Sequence, residues 1–377
     1  MGKYNICVYA ICKNEEQFVD RWMDSMWEAD RIVVLDTGST DGTVGRLRAR
    51  GAEVTVETIT PWRFDTARNR SLELVPDDTD ICVCTDLDEI LRPGWRDSLE
   101  AVWTPETGQA VYRYTWSFNP DGSEGVTFWY EKIHARHGYQ WTHPVHEVLT
   151  WIGEGEPGPR VAAAGVRLDH HPDPAKSRSQ YLPLLELSVA EDPEDDRNMH
   201  YLGREYLYYR RWDDCIATLE RHLALPCARW RDERCASMRY IAEAHFQKGE
   251  PSLARDWYLK AIAEAPYLRE PYLDLARLLY RQEEWEGVLY FTACALTITQ
   301  RPQSYICEAA AWGSLPHDLR SIAFHRTGRM AQALAEAKKA LELEPSNPRL
   351  QKNVEWLEAY SNENLHLCHD QDTGTDF

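Results

Sequence analysis

Apolar and polar positions alternate in blocks over the first 175 residues. Residues 4–12 form a short apolar run of β-formers. Phe18, Trp22 and Met26 then recur at every fourth position, the spacing of one helix face. Residues 32–35 are a second apolar run, ending in the polar, Gly-bearing turn Asp36-Thr37-Gly38-Ser39. The pattern predicts a helix closed by Gly51, a strand over 52–58, a helix that opens at Asp65 and stops before Pro76, and a strand over 81–85 that ends in acids. Apolar runs of this kind are strands buried on both faces, and their alternation with helices predicts a mostly parallel, Rossmann-like α/β sheet. Ligands of such sheets bind beyond the carboxyl ends of the strands. The clusters Lys13-Asn14-Glu15, Asp36–Ser39 and Asp86-Leu87-Asp88 fall at those ends.

Residues 108–170 change character. Tyr, Trp and Val runs read as β-hairpins of a smaller mixed sheet on an acceptor side, with a loop over 153–159 and a returning strand into His170-His171. From residue 176 the chain reads as helix. Ala242, Gly249, Ala254, Tyr258, Ala261 and Pro266 recur one 34-residue step later as Ala276, Trp285, Val288 and Ala295. They return at Gly328, Ala333, Ala337, Ala340 and Pro345, with a diverged copy around Gly203, Trp212 and Leu219. Small residues at these offsets let paired helices approach, and the step is that of a tetratricopeptide array. The expected organisation is 1–175 α/β, 176–361 all-α repeat, and a polar tail over 362–377 without structure.

Charge narrows the chemistry. The formal net charge is −19, which disfavours general nucleic-acid binding, although one local basic groove stays open. An acidic protein that binds a diphosphate needs a metal ion or local cations. No run of about 18 apolar residues predicts a membrane span. No basic segment followed by an apolar core predicts a signal peptide. The ten Cys lack paired metal spacing and read as free, mostly buried thiols of a reducing, cytoplasmic setting, with Cys82 and Cys84 on one strand face.

Asp86 and Asp88 leave a buried strand at i and i+2, a spacing that can hold a hard divalent cation. The other reading is a pair of solvated acids at a turn. Asp36 ends a strand, Gly38 permits a tight turn, and Ser39, Thr40 or Asp41 can cap the next helix. Together with Ala10-Ile11-Cys12-Lys13-Asn14-Glu15-Glu16, Asp36-Thr37-Gly38-Ser39-Thr40-Asp41, Asp65-Thr66-Ala67-Arg68-Asn69 and Asp86-Leu87-Asp88-Glu89, residues 4–175 resemble family 2 glycosyltransferases of the GT-A fold. With the repeats appended, the whole chain is similar to bacterial or phage glycosyltransferases that carry tetratricopeptide units.

The resemblance implies roles. Ala10, Ile11, Cys12 and Glu15 would line a nucleotide pocket, and Asp36 and Asp65 would contact base and ribose. Arg68 would lie near the diphosphate or brace Asp65. Asp86 and Asp88 would hold Mn²⁺ or Mg²⁺, with His170, or His171 beside it, as a third ligand. Lys176 and Arg178 would approach the diphosphate. The plainer readings are that Asp65 caps its helix, Arg68 pairs with a neighbouring acid, and Glu15 compensates a helix dipole. In Thr142-His143-Pro144-Val145-His146-Glu147, Glu147 is the candidate base, with His146 as alternative base or orienting partner. The family's usual acidic base motif is missing in recognisable form.

The expected function is a metal-dependent inverting transfer from a nucleotide sugar, UDP-sugar favoured, to a protein, peptide or glycan acceptor. The repeats would serve as docking or homodimer surface. The competing readings are a non-catalytic repeat scaffold with a degenerate transferase fold, and glycosylation of a modified nucleobase. A nucleotidyltransferase is disfavoured, because Cys12-Lys13-Asn14-Glu15 is not a Gly-rich basic loop.

Overall fold

A computed structural model of the chain describes residues 2–119, 121–173 and 179–369, with side chains to residue 360. The chain divides into two compact units, Met1–Pro193 with Gln303–Tyr305, and Glu194–Pro302 with Ile306–Phe377. The first therefore extends past the expected boundary at 175 and takes in one helix of its own.

In the first unit the strands are β1 (Ile6–Cys12), β2 (Arg31–Asp36), β3 (Glu53–Val56), β4 (Ile81–Cys84), β5 (Glu89–Leu91), β6 (Gln109–Thr115), β7 (Thr127–Ala135), β8 (Tyr139–Thr142), β9 (Val148–Trp151) and β10 (Arg160–His170). The helices are α1 (Val19–Met26), α2 (Thr43–Ala49), α3 (Phe64–Glu73), α4 (Trp95–Glu100) and α5 (Tyr181–Glu191). Among the described residues one sheet runs β3-β2-β1-β4-β7-β6-β10-β5. Its β3-β2-β1-β4 half is parallel.

Every residue of β1 is buried. Ile6, Val8, Ala10 and Cys12 pack on one side with Trp22 and Trp95, while Cys7 and Tyr9 pack on the other with Leu72, Val75 and Trp141. Successive side chains of a strand point to opposite faces, so this run is apolar throughout because both faces are covered. Cys82 and Cys84 share the second of these clusters, as their spacing predicts. Among the cysteines up to residue 360 all are free thiols, and all but Cys227 and Cys294 are buried.

The hairpins of 108–170 do not build a separate sheet, contrary to the sequence expectation. β7 pairs antiparallel with β4 through Ile81↔Ala135, Cys82↔His134 and Val83↔Ile133, and β6 and β10 follow it, so the main sheet simply continues. Tyr112, Tyr114 and Ile133 enter the main core, which is where their aromatic and β-branched bulk is buried. The β8–β9 hairpin is the part that stands apart.

The second unit is helical: α6 (Asp196–Tyr208), α7 (Trp212–Ala224), α8 (Arg231–Gln247), α9 (Pro251–Glu264), α10 (Glu270–Arg281), α11 (Trp285–Thr297), α12 (Ala309–Trp312), α13 (Leu315–Arg326), α14 (Met330–Leu343) and α15 (Pro348–His369). Consecutive helices pack in pairs, α6 on α7, α8 on α9, α10 on α11 and α13 on α14. The repeat positions lie at their seams: Ala242, Ala254, Tyr258, Ala276, Val288, Ala333 and Ala337 share one buried cluster. At Gly203 a Cβ would come within 2.3 Å of Leu219 Cδ2, so the close approach of α6 and α7 requires glycine there. The polar segment expected to begin without structure at 362 instead continues α15 to His369, and 370–377 lie outside the described residues. No helix among the described residues is long and apolar enough to cross a membrane.

Candidate functional site

β1 pairs with β2 as far as Cys12 but with β4 only from Ile6 to Tyr9. Its last residues, Ala10 to Cys12, therefore run past the end of β4. β2 and β4 flank β1 on opposite sides, so this is the point where strand order reverses, and sheets of this kind bind ligands there.

Asp36 closes β2 and is fully buried. Its Oδ1 accepts from the backbone N–H of Gly38 (3.0 Å) and Ser39 (2.8 Å), and its Oδ2 accepts from the Ser39 hydroxyl and from Cys12 Sγ (3.4 Å). Gly38 sits at φ +109°, which explains the glycine. Asp36 thus shapes the turn in this arrangement, and Asp41 Oδ1 accepts from Thr43 N (3.0 Å) at the start of α2. Glu15 is buried beside this turn, its backbone N–H donating to Thr43 Oγ1 at 2.9 Å.

Asp65 and Arg68, neighbours on α3, part company. Asp65 takes a two-pronged pair from Arg63 (Nε 3.0 Å, Nη2 2.8 Å) and accepts from Thr66 N at 2.7 Å. Arg68 does not brace it. The buried Arg68 donates to Glu147 Oε1 (2.6 Å) through Nε, to Asp86 Oδ1 (2.7 Å) through Nη2, and to Cys84 Sγ (3.4 Å) through Nη1.

The other oxygen of Asp86 accepts from Lys132 Nζ at 3.0 Å, and Lys132 also reaches Glu89 Oε1 at 3.3 Å, where the Tyr114 hydroxyl donates at 2.9 Å. Burial favours neutral Asp86, but Arg68 and Lys132 outweigh it and hold the carboxyl far below the usual range. Burial, with the neighbouring acids Asp86 and Asp88, pushes the Glu89 carboxyl up against the pull of Lys132. The sequence motifs include Glu89 without a role and do not point to Lys132. A signal was present for Lys132, which shares a strand face with Tyr130 and His134 and so points inward at i±2.

Asp88 meets His170. The β5–β10 pairing sets Glu89 opposite His170, and His171 N donates to Asp88 O at 2.8 Å. Asp88 Oδ2 lies 3.6 Å from His170 Nε2, both side chains being nearly buried. His170 Nδ1 lies 3.2 Å from the carbonyl of Trp116, whose ring stacks on the imidazole at 4.4 Å. A carbonyl only accepts, so Nδ1 carries the proton and Nε2 faces the carboxylate as a lone pair or as the second N–H of an imidazolium. Burial resists that charge, but Asp88 overrides it and raises the imidazole's affinity for a proton. A carboxylate and an imidazole nitrogen at this separation fit two ligands of one divalent cation.

Asp86 is not brought into that pair. Its oxygens are held by Arg68 and Lys132, and among the described residues Asp86, Asp88 and His170 do not gather three donor atoms within 4.8 Å, as another cluster does. The expected three-ligand metal site thus reduces to Asp88 and His170 here.

His170 and His171 line a cavity of about 420 Å³ together with Phe18, Arg21, Trp116 and Phe118. Phe118 stacks on His171 at 5.1 Å, and Arg21 Nη2 donates to the His171 carbonyl at 3.0 Å. The β8–β9 turn bearing His146 and Glu147 holds two residues in left-handed backbone, His143 (φ +77°) and His146 (φ +52°). Non-glycine residues in that region concentrate at functional sites. The turn is tied to α3 by Phe64 N donating to Pro144 O at 2.9 Å, and the His146 ring lies 5.7 Å from Tyr181. Lys176 and Arg178 lie outside the described residues.

No family model matches the chain. Similar solved structures include the MamA protein (18% identity over 44% of this chain and 81% of that one, TM-score 0.35). A thermophilic TPR protein of Thermus thermophilus matches at 17% over 48% of this chain and 90% of that one, TM-score 0.35. The C-terminal part of a TPR repeat-containing protein from Cytophaga hutchinsonii matches at 13% over 49% and 67%, TM-score 0.41.

Proposed function

We infer that the first unit is a GT-A-type inverting glycosyltransferase that takes its sugar from a nucleotide-sugar donor, a UDP-sugar by preference. The acceptor is a protein, peptide or glycan, which the helical repeat helps to dock. The observation that carries this reading is the meeting of Asp88 and His170 at the strand ends, beside the point where sheet order reverses around β1. Ala10 to Cys12, which run past the end of β4, supply the strand end for the nucleotide, and the Asp36 turn fixes its neighbour.

A divalent cation held by Asp88 and His170 would offset the charge that builds on the leaving diphosphate. Arg68 keeps Glu147 and Asp86 at fixed positions. Glu147 is the base that takes the acceptor's proton, and His146 orients the same turn.

The scaffold reading draws on one observation, the internal pairing of Asp86 and Asp36. Thermal shift with UDP, GDP and CMP, each with and without Mn²⁺, separates the two. The transferase reading expects metal-dependent stabilisation by one nucleotide, lost in Asp88→Ala while the apo melting curve stays cooperative. Unchanged stabilisation in that variant refutes the metal assignment, and no stabilisation of the wild-type protein favours the scaffold.

A further inference from the structure

α6, α7 and α8 of the second unit pack together around a histidine that the proposed transferase does not use. His222, in the last turn of α7, is fully buried. Its Nδ1 lies 3.0 Å from Ser237 Oγ on α8, and that hydroxyl lies 2.8 Å from Nδ1 of His200 on α6, also fully buried. On the other side of the ring, Nε2 is buried and makes no hydrogen bond, although Glu233 Oε1 is only 3.3 Å away. Carboxylate oxygens of Glu233 and Asp196 and a nitrogen of His222 all lie within 4.8 Å of one another.

Ser237 has one proton for two imidazoles. When it donates to His200, it accepts from His222 Nδ1–H, and His222 Nε2 is then a lone pair turned toward two carboxylates. That buried lone pair and the two carboxylates together form a donor set that one cation can satisfy. A hydroxyl fixing one ring nitrogen while the other points at acidic oxygens is also how proteins orient an imidazole ligand. The opposite tautomer makes Nε2–H a donor aimed at Glu233, a contact whose geometry falls short of a hydrogen bond.

We propose that Asp196, His222 and Glu233 bind one divalent transition-metal ion of the zinc class, which clamps α6, α7 and α8 together. One nitrogen and two carboxylates, with water completing a tetrahedron, suit such an ion. The site is independent of the transferase reading and shares no residue with it.

The test uses the full chain carrying Asp88→Ala, so that the strand-end pair contributes no ion. The protein is stripped with chelator, shown to be folded by circular dichroism, and titrated with Co²⁺. We expect one equivalent bound, with ligand-field bands displaced by Zn²⁺, and affinity at least tenfold weaker in Glu233→Gln and in His222→Gln. Should His222→Gln fail to fold, the isosteric Glu233→Gln decides. No uptake by the folded parent, uptake by the folded variants equal to the parent's, or bands of thiolate-to-cobalt charge transfer alone would overturn the site. Nucleotide-dependent stabilisation of Asp88→Ala bears on the transferase alone, so the two readings fail separately.

Discussion

His170 and His222 each meet carboxylates in a place with little water, yet the two units frame them differently. His170 ends a strand, stacks on Trp116 and lines a cavity of about 420 Å³. His222 is fully buried between helices, braced through Ser237 by a second histidine. An ion at the first place has room for exchangeable ligands, and an ion at the second is enclosed by protein. That difference separates cation sites that take part in chemistry from those that hold a fold. The surroundings differ as well. The strand-end acids Asp86, Glu89 and Glu147 are matched by Arg68 and Lys132, which leaves Asp88 and His170 as the pair the proposed transferase would use to hold an ion.

The sharpest way to break this contrast is to unbalance the strand-end network. Lys132→Met strips the partly exposed Asp86 and the buried Glu89 of the buried cation they share. Removing one partner of a buried pair costs about 3–5 kcal/mol. Urea unfolding should show that loss in the first unit's transition, with the second unit's transition in place. A loss below about 1 kcal/mol, the range of exposed pairs, would show that these charges reach water and that the network does not isolate Asp88.

The next largest effect is in the response to acid. His134 is fully buried and accepts from the Tyr9 hydroxyl (Nε2, 2.8 Å) while Nδ1 donates to the Ala135 carbonyl (2.7 Å). Burial pushes its pKa down from 6.5 to about 4. The unfolded chain therefore takes up this proton as pH falls through 6.5, while the folded chain refuses it until about 4. Stability is lost across that window at about 1.4 kcal/mol per pH unit, about 3 kcal/mol in all. His134→Gln should flatten the first unit's urea midpoint between pH 6.5 and 4 relative to wild type. An unchanged slope would place the acid sensitivity elsewhere.

The α/β frame and the helical repeat were legible because each leaves a period in the sequence. β1 is apolar at every position since both its faces are covered, and Ala242, Ala276 and their kin recur because helix seams admit only small side chains. The nearness of Asp88 to His170 was legible through strand-end motifs. The entry of β7 beside β4 was not, because strand order depends on pairing partners 50 residues apart in sequence (Val83↔Ile133). The pairing of Asp65 with Arg63 rather than Arg68 turned on partners distant in sequence, since Glu147 and Asp86 take the Arg68 guanidinium. Asp196, His222 and Glu233 escaped for the same reason: they sit on three helices with no local spacing, and helix packing alone brings them together.

The finest test exchanges the two histidines. His170→Gln removes the proposed nitrogen ligand of the strand-end pair and should weaken Mn²⁺-dependent nucleotide binding about tenfold, or 1.4 kcal/mol. Co²⁺ uptake between α6, α7 and α8 should not change. His222→Gln should do the reverse, with nucleotide titrations superimposable on wild type and the Co²⁺ ligand-field signal lost at matched concentrations. Glutamine suits the comparison because it keeps a polar side chain of similar length, so lost packing contributes little to either result. If either substitution weakens both measurements equally, the two sites are coupled through the fold. The contrast between an exchangeable ion in one unit and an enclosed one in the other would then not hold.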